Sequence, residues 1–470
     1  MSGLYTSLTQ SVKALTAHSR GIEIAGKNLA NVNNASYARQ RVLFGDRGTV
    51  ITPDGAESLG LEALAVQQVR DSLLDRQVMR EIALKAGYEA EQSGYQRAQA
   101  GLGQSIDRAG GTGSVSGVGD SGLAAAIDDF FNAFQSFAAR PTDDGERQIL
   151  LQKSEILADR FQLADARIGQ VQSDLDAEVA SDVEEANRLL ATIAELNAQI
   201  GRLEINSAGS AVDLRDQRQA KLELLAAKLP VETRETAGGQ LEVFARDTGG
   251  AEVTLVNLAV VTGLVAFDGT QLTAGSPATA LAPNGGSMSG ALTARDGAVQ
   301  TLRDDLDRLA RQLVTSVNAA YNPTGTTGDF FAPGGLTAGD IDVLDTLTAA
   351  TLKASDGGAA GDNTIALAVA ALASREFSVA GGDQIDGSFS VYFSRTVGRI
   401  GQALAGANAR VEDQSNIERL VRGQRDGVSG VSLDEEMADL MKYQRAFQAS
   451  SRVFTVMDEL LDVVVNRLGV

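Results

Sequence analysis

Apolar side chains return every seven residues at both ends of the chain. Leu433, Leu440, Phe447, Phe454, Leu461 and Leu468 form one row, and Met1, Leu8, Leu15, Ile22 and Leu29 form another. Seven residues is close to two helical turns, so each row predicts the apolar edge of a long α-helix that needs a partner. Ser432 with Glu435 has the spacing of a capping box at the start of the C-terminal helix. Asp434, Glu435, Glu436 and Asp439 place negative charge near the positive end of its dipole. Two such helices at opposite extremes of 470 residues predict that the ends pair and the middle is looped out between them.

Between the ends the pattern changes several times. Asn31, Asn33 and Asn34 satisfy their own backbone and should stop the first helix. Residues 41–52 read as extended. From about Leu59 to Gly101 the pattern reads as helical, with Val66, Val69 and Leu73 on one face, and residues 101–122 read as a glycine-rich loop. FFNAFQSF predicts a short aromatic helix ending near Arg140-Pro141. Leu150, Leu157, Phe161, Ile168, Val171 and Leu175 are followed by Val179, Ala186, Ile193 and Ile200, which fits one long helix or a hairpin of two. A helix over 211–228 closes at Pro230. Residues 231–290 are rich in glycine and threonine, with short runs such as QLEVF and EVTLV, and predict a small β-rich insert. Helical pattern returns in ALTARDGAVQTLRDDLDRLARQLVTSVNAAYN. A glycine-rich stretch over 324–387 with helical pieces follows. Phe389 to Val411 mark a further long helix, and Gly427 and Gly430 separate it from the terminal one. The expected fold is α+β, mainly α, with nested domains. Residues 1–50 and 427–470 form the paired terminal segments, 51–230 and 291–426 the two parts of a helical domain, and 231–290 the inserted β-rich domain.

Charge and composition narrow the function. A net charge of −20 argues against nucleic acid or an anionic membrane as partner. No apolar run approaches the length that spans a bilayer. The start, MSGLYTSLTQSVKALTAHSR, lacks the basic region and apolar stretch of an ordinary secretory signal. Cysteine is absent, which removes disulfides, thiolate metal sites and cysteine nucleophiles. His18 is the single histidine and falls in the first helix, where it reads as a polar residue on a helix face.

Motifs for chemistry are weak. Residues 117–122, GVGDSG, match G-x-G-x-x-G, but loop composition precedes them where a dinucleotide site needs a strand. Asp304, Asp305 and Asp307, like Asp434, Glu435 and Glu436, cluster on amphipathic helices, where a charge run reads as a solvated face. No catalytic, cofactor or metal site is expected. The two terminal rows can pack within one chain or between copies. Two bare helices bury too little to offset the entropy of ordering them, so neighbouring copies that each cover a further face are expected.

The ends carry further information. Asn28-Leu29-Ala30-Asn31-Val32-Asn33, followed by Tyr37, Arg39 and Gln40, resembles the N-terminal signature of bacterial flagellar rod, hook and hook-associated proteins. SGVSLDEEMADLMKYQRAFQASSRVFTVMDELLDVVV resembles their C-terminal signature. FFNAFQSFAARP, DLRDQR at 213–218, LDRLARQLVTSVNAAYN and GDNTIALA at 361–368 are similar to the hook-associated branch. Asn34-Ala35-Ser36 stands where the family often has Thr-Pro-Gly, and asparagine can still serve in such a turn.

The resemblance implies a structural adaptor between hook and filament. It implies polymerisation or partner binding through Leu8, Leu15, Ile22, Asn28, Leu29, Asn31, Asn33, Tyr37, Arg39 and Gln40, and through Leu433, Leu440, Phe447, Phe454, Leu461 and Leu468. It implies copies of the chain in a ring, with hook protein on one side and the next hook-associated protein on the other. It also implies an export chaperone on the C-terminal helix, and an extracellular place in the flagellum reached by type III export without a cleaved signal. Another axial protein, such as hook or distal rod protein, is the nearest rival; the helical stretch at 123–228 argues against it. A cytoplasmic coiled-coil scaffold and a nucleotide-binding enzyme are more distant rivals.

Overall fold

The structure is a computed structural model describing residues 2–34, 36–46, 48–52, 55–58, 60–102, 122–236, 238–325, 328–359 and 361–463. Leu468, the GVGDSG residues before Gly122 and most of the expected loop at 101–122 lie outside the described residues. The chain divides into two compact units. The first holds residues 1–85, 182–286 and 414–470, and the second 86–181 and 287–413.

The first unit opens with helix α1, Ser2–Ala30. The asparagines end it as their chemistry predicts. Asn31 returns its side-chain N–H to the Lys27 carbonyl at 3.0 Å, and the Asn34 carboxamide oxygen accepts the Ser36 N–H at 3.2 Å. The chain then forms an antiparallel arm from β1, Gln40–Asp46, and β4, Leu61–Gln68, with β2, Thr49–Thr52, and β3, Gly55–Ser58, as its outer hairpin. Residues 61–68 are therefore a strand, where the sequence pattern reads helix. Val42 lies opposite Val66 and Arg41 opposite Gln67, a pairing across the arm that local propensity does not register. Helix α2 begins only at Ser72 and runs to Gly101.

The long helical pattern after Pro141 is one helix, α4, Asp144–Glu204. Four-residue steps from Leu157 to Phe161 and from Leu175 to Val179 offset the drift of a seven-residue interval, so the apolar row stays near 3.6 periodicity. Helix α5, Val212–Lys228, ends at Leu229, which is extended because Pro230 follows it. The insert is antiparallel throughout. Strands β5, Glu232–Glu235, β6, Leu241–Arg246, β7, Glu252–Asn257, and β8, Val260–Val261, pair in that order. Strands β9, Val265–Phe267, β10, Leu272–Ala274, and β11, Thr279–Ala280, form a second small sheet. Val243, Leu255 and Val256 are fully buried in this part of the unit.

The second unit is a helical body built on aromatic side chains. Helix α3, Leu123–Ala139, turns Phe130, Phe131, Phe134 and Phe137 inward. Helix α6, Gly286–Ala294, leads through a single wide turn into α7, Gln300–Tyr321. Helix α8 is short, Thr364–Ala371, and α9, Phe389–Ser429, is long. Phe330 meets Phe134 at 5.2 Å, Tyr321 at 5.3 Å and Phe130 at 5.8 Å between ring centroids. These tilted and edge-on arrangements suit the ring quadrupoles. Asp305, expected on a solvated face, is buried. It accepts the Tyr392 hydroxyl at 2.9 Å and pairs with Arg399 and Arg308.

Helix α9 runs through Gly427 without a break, so the separation from the terminal helix falls only at Gly430–Ser432. Helix α10 spans Leu433–Asp462. Among the described residues no helix is long and apolar enough to cross a membrane.

Phe330 has no solvent exposure and touches four aromatic rings. Phe330→Ala is expected to destabilise the second unit by about 3–5 kcal/mol, through lost transfer energy and the cavity left behind. Urea unfolding followed by circular dichroism measures it, and a loss under ~1 kcal/mol would contradict this account of the core.

The terminal clasp as candidate functional site

The end of α1 and the start of α10 meet at one buried side chain, Asn28. Its amide N–H groups donate to the Gln40 carbonyl at 2.8 Å and to Glu436 Oε2 at 2.9 Å. Its oxygen accepts the Tyr37 hydroxyl at 2.8 Å and the Gln40 backbone N–H at 3.0 Å. Both donors and both lone pairs of the carboxamide are thus used, which a buried amide requires. The asparagine-rich stop after α1 brings Tyr37 and Gln40 back to the helix they follow.

Arg39 ties the same loop to α10 a second time. Its guanidinium pairs with Glu436 at 2.6 Å, with Glu435, and with Asp439 at 3.6 Å, while its backbone N–H donates to the Ser429 carbonyl at 2.8 Å. Burial opposes charge on Arg39, but Glu436 and Glu435 outweigh it and hold the guanidinium protonated. Glu435 is therefore engaged by Arg39, and Ser432 makes no side-chain bond to the helix, so the expected capping box is not formed. The first-turn carboxylates still face the positive end of the helix dipole.

Helix α5 supplies the floor. Asp213 accepts Lys27 Nζ at 2.6 Å and Gln40 Nε2 at 3.0 Å. Burial raises the carboxyl of Asp213, yet Lys27 and Gln40 bring it below its ordinary value. Asp216 accepts the Ala38 N–H at 3.2 Å and Arg70 Nη2 at 2.7 Å, and Arg70 also reaches Asp75 at 3.0 Å and the Ser36 carbonyl at 3.0 Å. Here burial wins. Arg70 and the Ala38 N–H offset it only in part, and the Asp216 carboxyl is pushed up to about 6. Burial, followed by the charges of Asp216, Asp213 and Glu436, raises the Tyr37 hydroxyl, which stays a neutral donor.

Beyond the clasp, α1 and α10 pack along their length. The inward face of α10 is wider than the seven-residue row suggests. Leu440, Phe454 and Leu461 are half-buried, and so are Tyr443, Ser450 and Met457, the second row of a heptad seam. Leu433 is exposed, and Phe447 is 37% exposed at the seam's edge. On α1, Leu8, Leu15, Ile22 and Leu29 are half-buried. The most buried edge is made of small residues: Ser11, Ala17, Gly21 and Ala25, with Ile24. Gly21 explains the preference for small side chains, because a Cβ there would lie 2.9 Å from the Tyr443 ring. His18 rests near Phe44, whose ring meets Tyr443 at 5.7 Å, and burial lowers its imidazole below the ordinary value.

The structure thus brings Asn28, Tyr37, Arg39 and Gln40 together. Asn31 acts at the helix end, and Asn33 is exposed. The sequence pattern missed Lys27, Asp213, Asp216, Arg70 and Glu436 as site members. DLRDQR was visible as a stretch, but nothing local says which residues its aspartates meet 186 and 178 positions away.

The family model described as Flagellar hook-associated protein FlgK helical domain matches residues 113–331. The model described as Flagellar basal body rod FlgEFG protein C-terminal matches residues 427–468. Flagellar hook-associated protein 1 of Bacillus subtilis (strain 168) is 26% identical over 527 residues, spanning 100% of this chain and 99% of that one. Its counterpart from Escherichia coli (strain K12) is 23% identical over 571 residues, spanning 98% and 99%. The solved flagellar hook junction protein FlgK from Burkholderia pseudomallei is 22% identical, with a TM-score of 0.45 over 55% of this chain and 47% of that one.

The Asp216 carboxyl titrates near 6 in the folded chain, against an ordinary 3.8. Between those values the folded chain binds more protons than the unfolded chain, so this group's contribution to stability falls as pH rises through that window. Relative to Asp216→Asn, the unsubstituted chain should gain on the order of 1–3 kcal/mol as pH drops from about 6 to about 4. Urea unfolding of both proteins across that range checks it, and parallel stability curves would contradict it.

Proposed function

Since the chain belongs to the flagellar hook-associated protein 1 family, we propose that it is a structural adaptor of the bacterial flagellum, joining hook to filament. The observation that carries the reading is the clasp, in which the two terminal signatures close on one another. In this role residues 1–50 and 427–470 are the inner, polymerising segments. Residues 51–230 and 291–426 form the surrounding helical domain, and 231–290 project as the outer β domain. The seam row from Leu433 to Leu468 and the α1 row from Leu8 to Leu29 carry polymerisation.

Copies of the chain form a ring, with hook protein on one side and the next hook-associated protein on the other. Before assembly an export chaperone covers α10, and export follows the flagellar type III route to the cell exterior without a cleaved signal. The second face of α10 supports this. Met437, Met441, Val453, Val456 and Leu460 are about half exposed, although α1 already covers the inward face. Burying such side chains against a neighbour gains about 1.5–3 kcal/mol each. The role asks for shape and adhesion and for no reaction centre.

Electron microscopy of a strain lacking the protein tests the role. Hooks without filaments are expected; intact flagella, or missing hooks, would overturn it. Leu460→Asp tests the face. The residue is 45% exposed in the free chain, so the melt of the purified protein should move by no more than about 0.5 kcal/mol in equivalent stability. A charge carried into a packed interface costs several kcal/mol, so filaments should fail to form. Normal filaments from Leu460→Asp would remove this face from the assembly surface.

A further inference from the structure

The DLRDQR segment at the start of α5 faces two ways. Asp213 and Asp216 stand three residues apart, as do Arg215 and Arg218. At 3.6 residues per turn the acidic pair and the basic pair point about 160° apart. The acidic pair meets the clasp through Lys27, Gln40, Ala38 and Arg70.

The basic pair meets the inserted sheet. Arg215 grips both oxygens of Glu204, at 2.8 and 2.7 Å, and reaches Glu235 of β5 at 2.7 Å. Arg218 is buried and donates to Asn197 Oδ1 at 2.8 Å and to the Gly239 carbonyl at 2.8 Å. Asn197 in turn holds the sheet, donating to the carbonyls of Leu241 at 2.8 Å and Leu258 at 2.6 Å and accepting the Leu241 N–H at 3.2 Å. Arg218 thus sits in the interior bonded to neutral oxygens. Burial, and next the charge of Arg215, push it down to about 10. A buried guanidinium with these partners tolerates little displacement, because each lost bond leaves a buried donor unsatisfied.

We infer that this segment is a two-sided strut. Arg215 and Arg218 are positioning residues that fix α5 against the inserted sheet and so hold Asp213 and Asp216 where they meet the ends of α1 and α10. The order of the β insert and the order of the clasp are then one quantity read at two places. Energetic coupling between two places is reciprocal, so loosening either loosens the other. The insert thereby acts on the assembly joint through α5. The inference rests on the clasp being that joint, but its test reads the free chain, so its failure would leave the assembly role untouched.

Hydrogen exchange of the full chain, resolved by mass spectrometry, tests the strut. Arg218→Gln should speed exchange of the Ala38 and Gln40 amides about tenfold. The amides of Leu309 and Leu313, in α7 of the second unit, should not change. Arg218→Lys, which keeps the charge and part of the hydrogen bonding, should restore most of the protection. Asp213→Asn should speed exchange at Gly239 and Leu241 by a similar factor. Faster exchange confined to 235–258 in Arg218→Gln, with Ala38 and Gln40 unchanged, would overturn the strut. Should Arg218→Gln fail to fold, Glu235→Ala removes only the outer bond of Arg215. It should produce a smaller rise at the same clasp amides, and no rise there would overturn the strut equally.

Discussion

The carboxamide of Asn28 joins two segments 408 positions apart, and the arrangement of both termini depends on it. A buried amide is stable only where every donor and acceptor finds a partner, and in a low-dielectric interior an unmet one is costly. The four partners of Asn28 come from the loop after α1 and from the first turn of α10. Satisfying them therefore sets where α1 ends, how the β1–β4 arm leaves it, and at which level α10 lies along α1. Apolar contacts alone would permit α10 to slide by a heptad. The polar clasp specifies one register, the best-attested use of a buried polar group in helix pairing.

With the register set, the rest of α10 follows. One face packs on α1 through half-buried side chains, and Gly21 admits Tyr443 at the closest approach. The other face keeps Met437, Met441, Val456 and Leu460 exposed. A helix apolar on more than one side finds full burial only among several neighbours. The helical body of the second unit is self-sufficient by contrast, with fully buried aromatic rings closing on one another. Buried aromatic packing is thus concentrated in that body, and exposed apolar side chains line the outer face of α10.

Much of this was legible in the residues. The asparagine stop after α1, the aromatic helix before Pro141, the β-rich insert and both terminal rows are local signals, set by hydrogen-bonding chemistry or by periodicity. What escaped was non-local. Residues 61–68 read as helix until β1 is placed beside them. The Ser432–Glu435 spacing fits a cap, but Arg39 from the other end of the chain competes for Glu435. Asp305 sits in a charge run that reads as solvated, and Tyr392 and Arg399 draw it inside. At the candidate site, Asn28, Tyr37, Arg39 and Gln40 were visible through family resemblance. Their partners Asp213, Asp216 and Glu436 were not, because pairing across such distances leaves no mark in local pattern.

Specific polar contacts within a single chain join its two ends. A double-mutant cycle on Asn28→Ala and Glu436→Ala, read by hydrogen exchange of the terminal helices in urea, measures that contact directly. A coupling energy of about 1 kcal/mol or more between the two positions is expected. Additivity to within about 0.3–0.5 kcal/mol would mean the side chains do not sense each other, and the clasp could not be what aligns the termini.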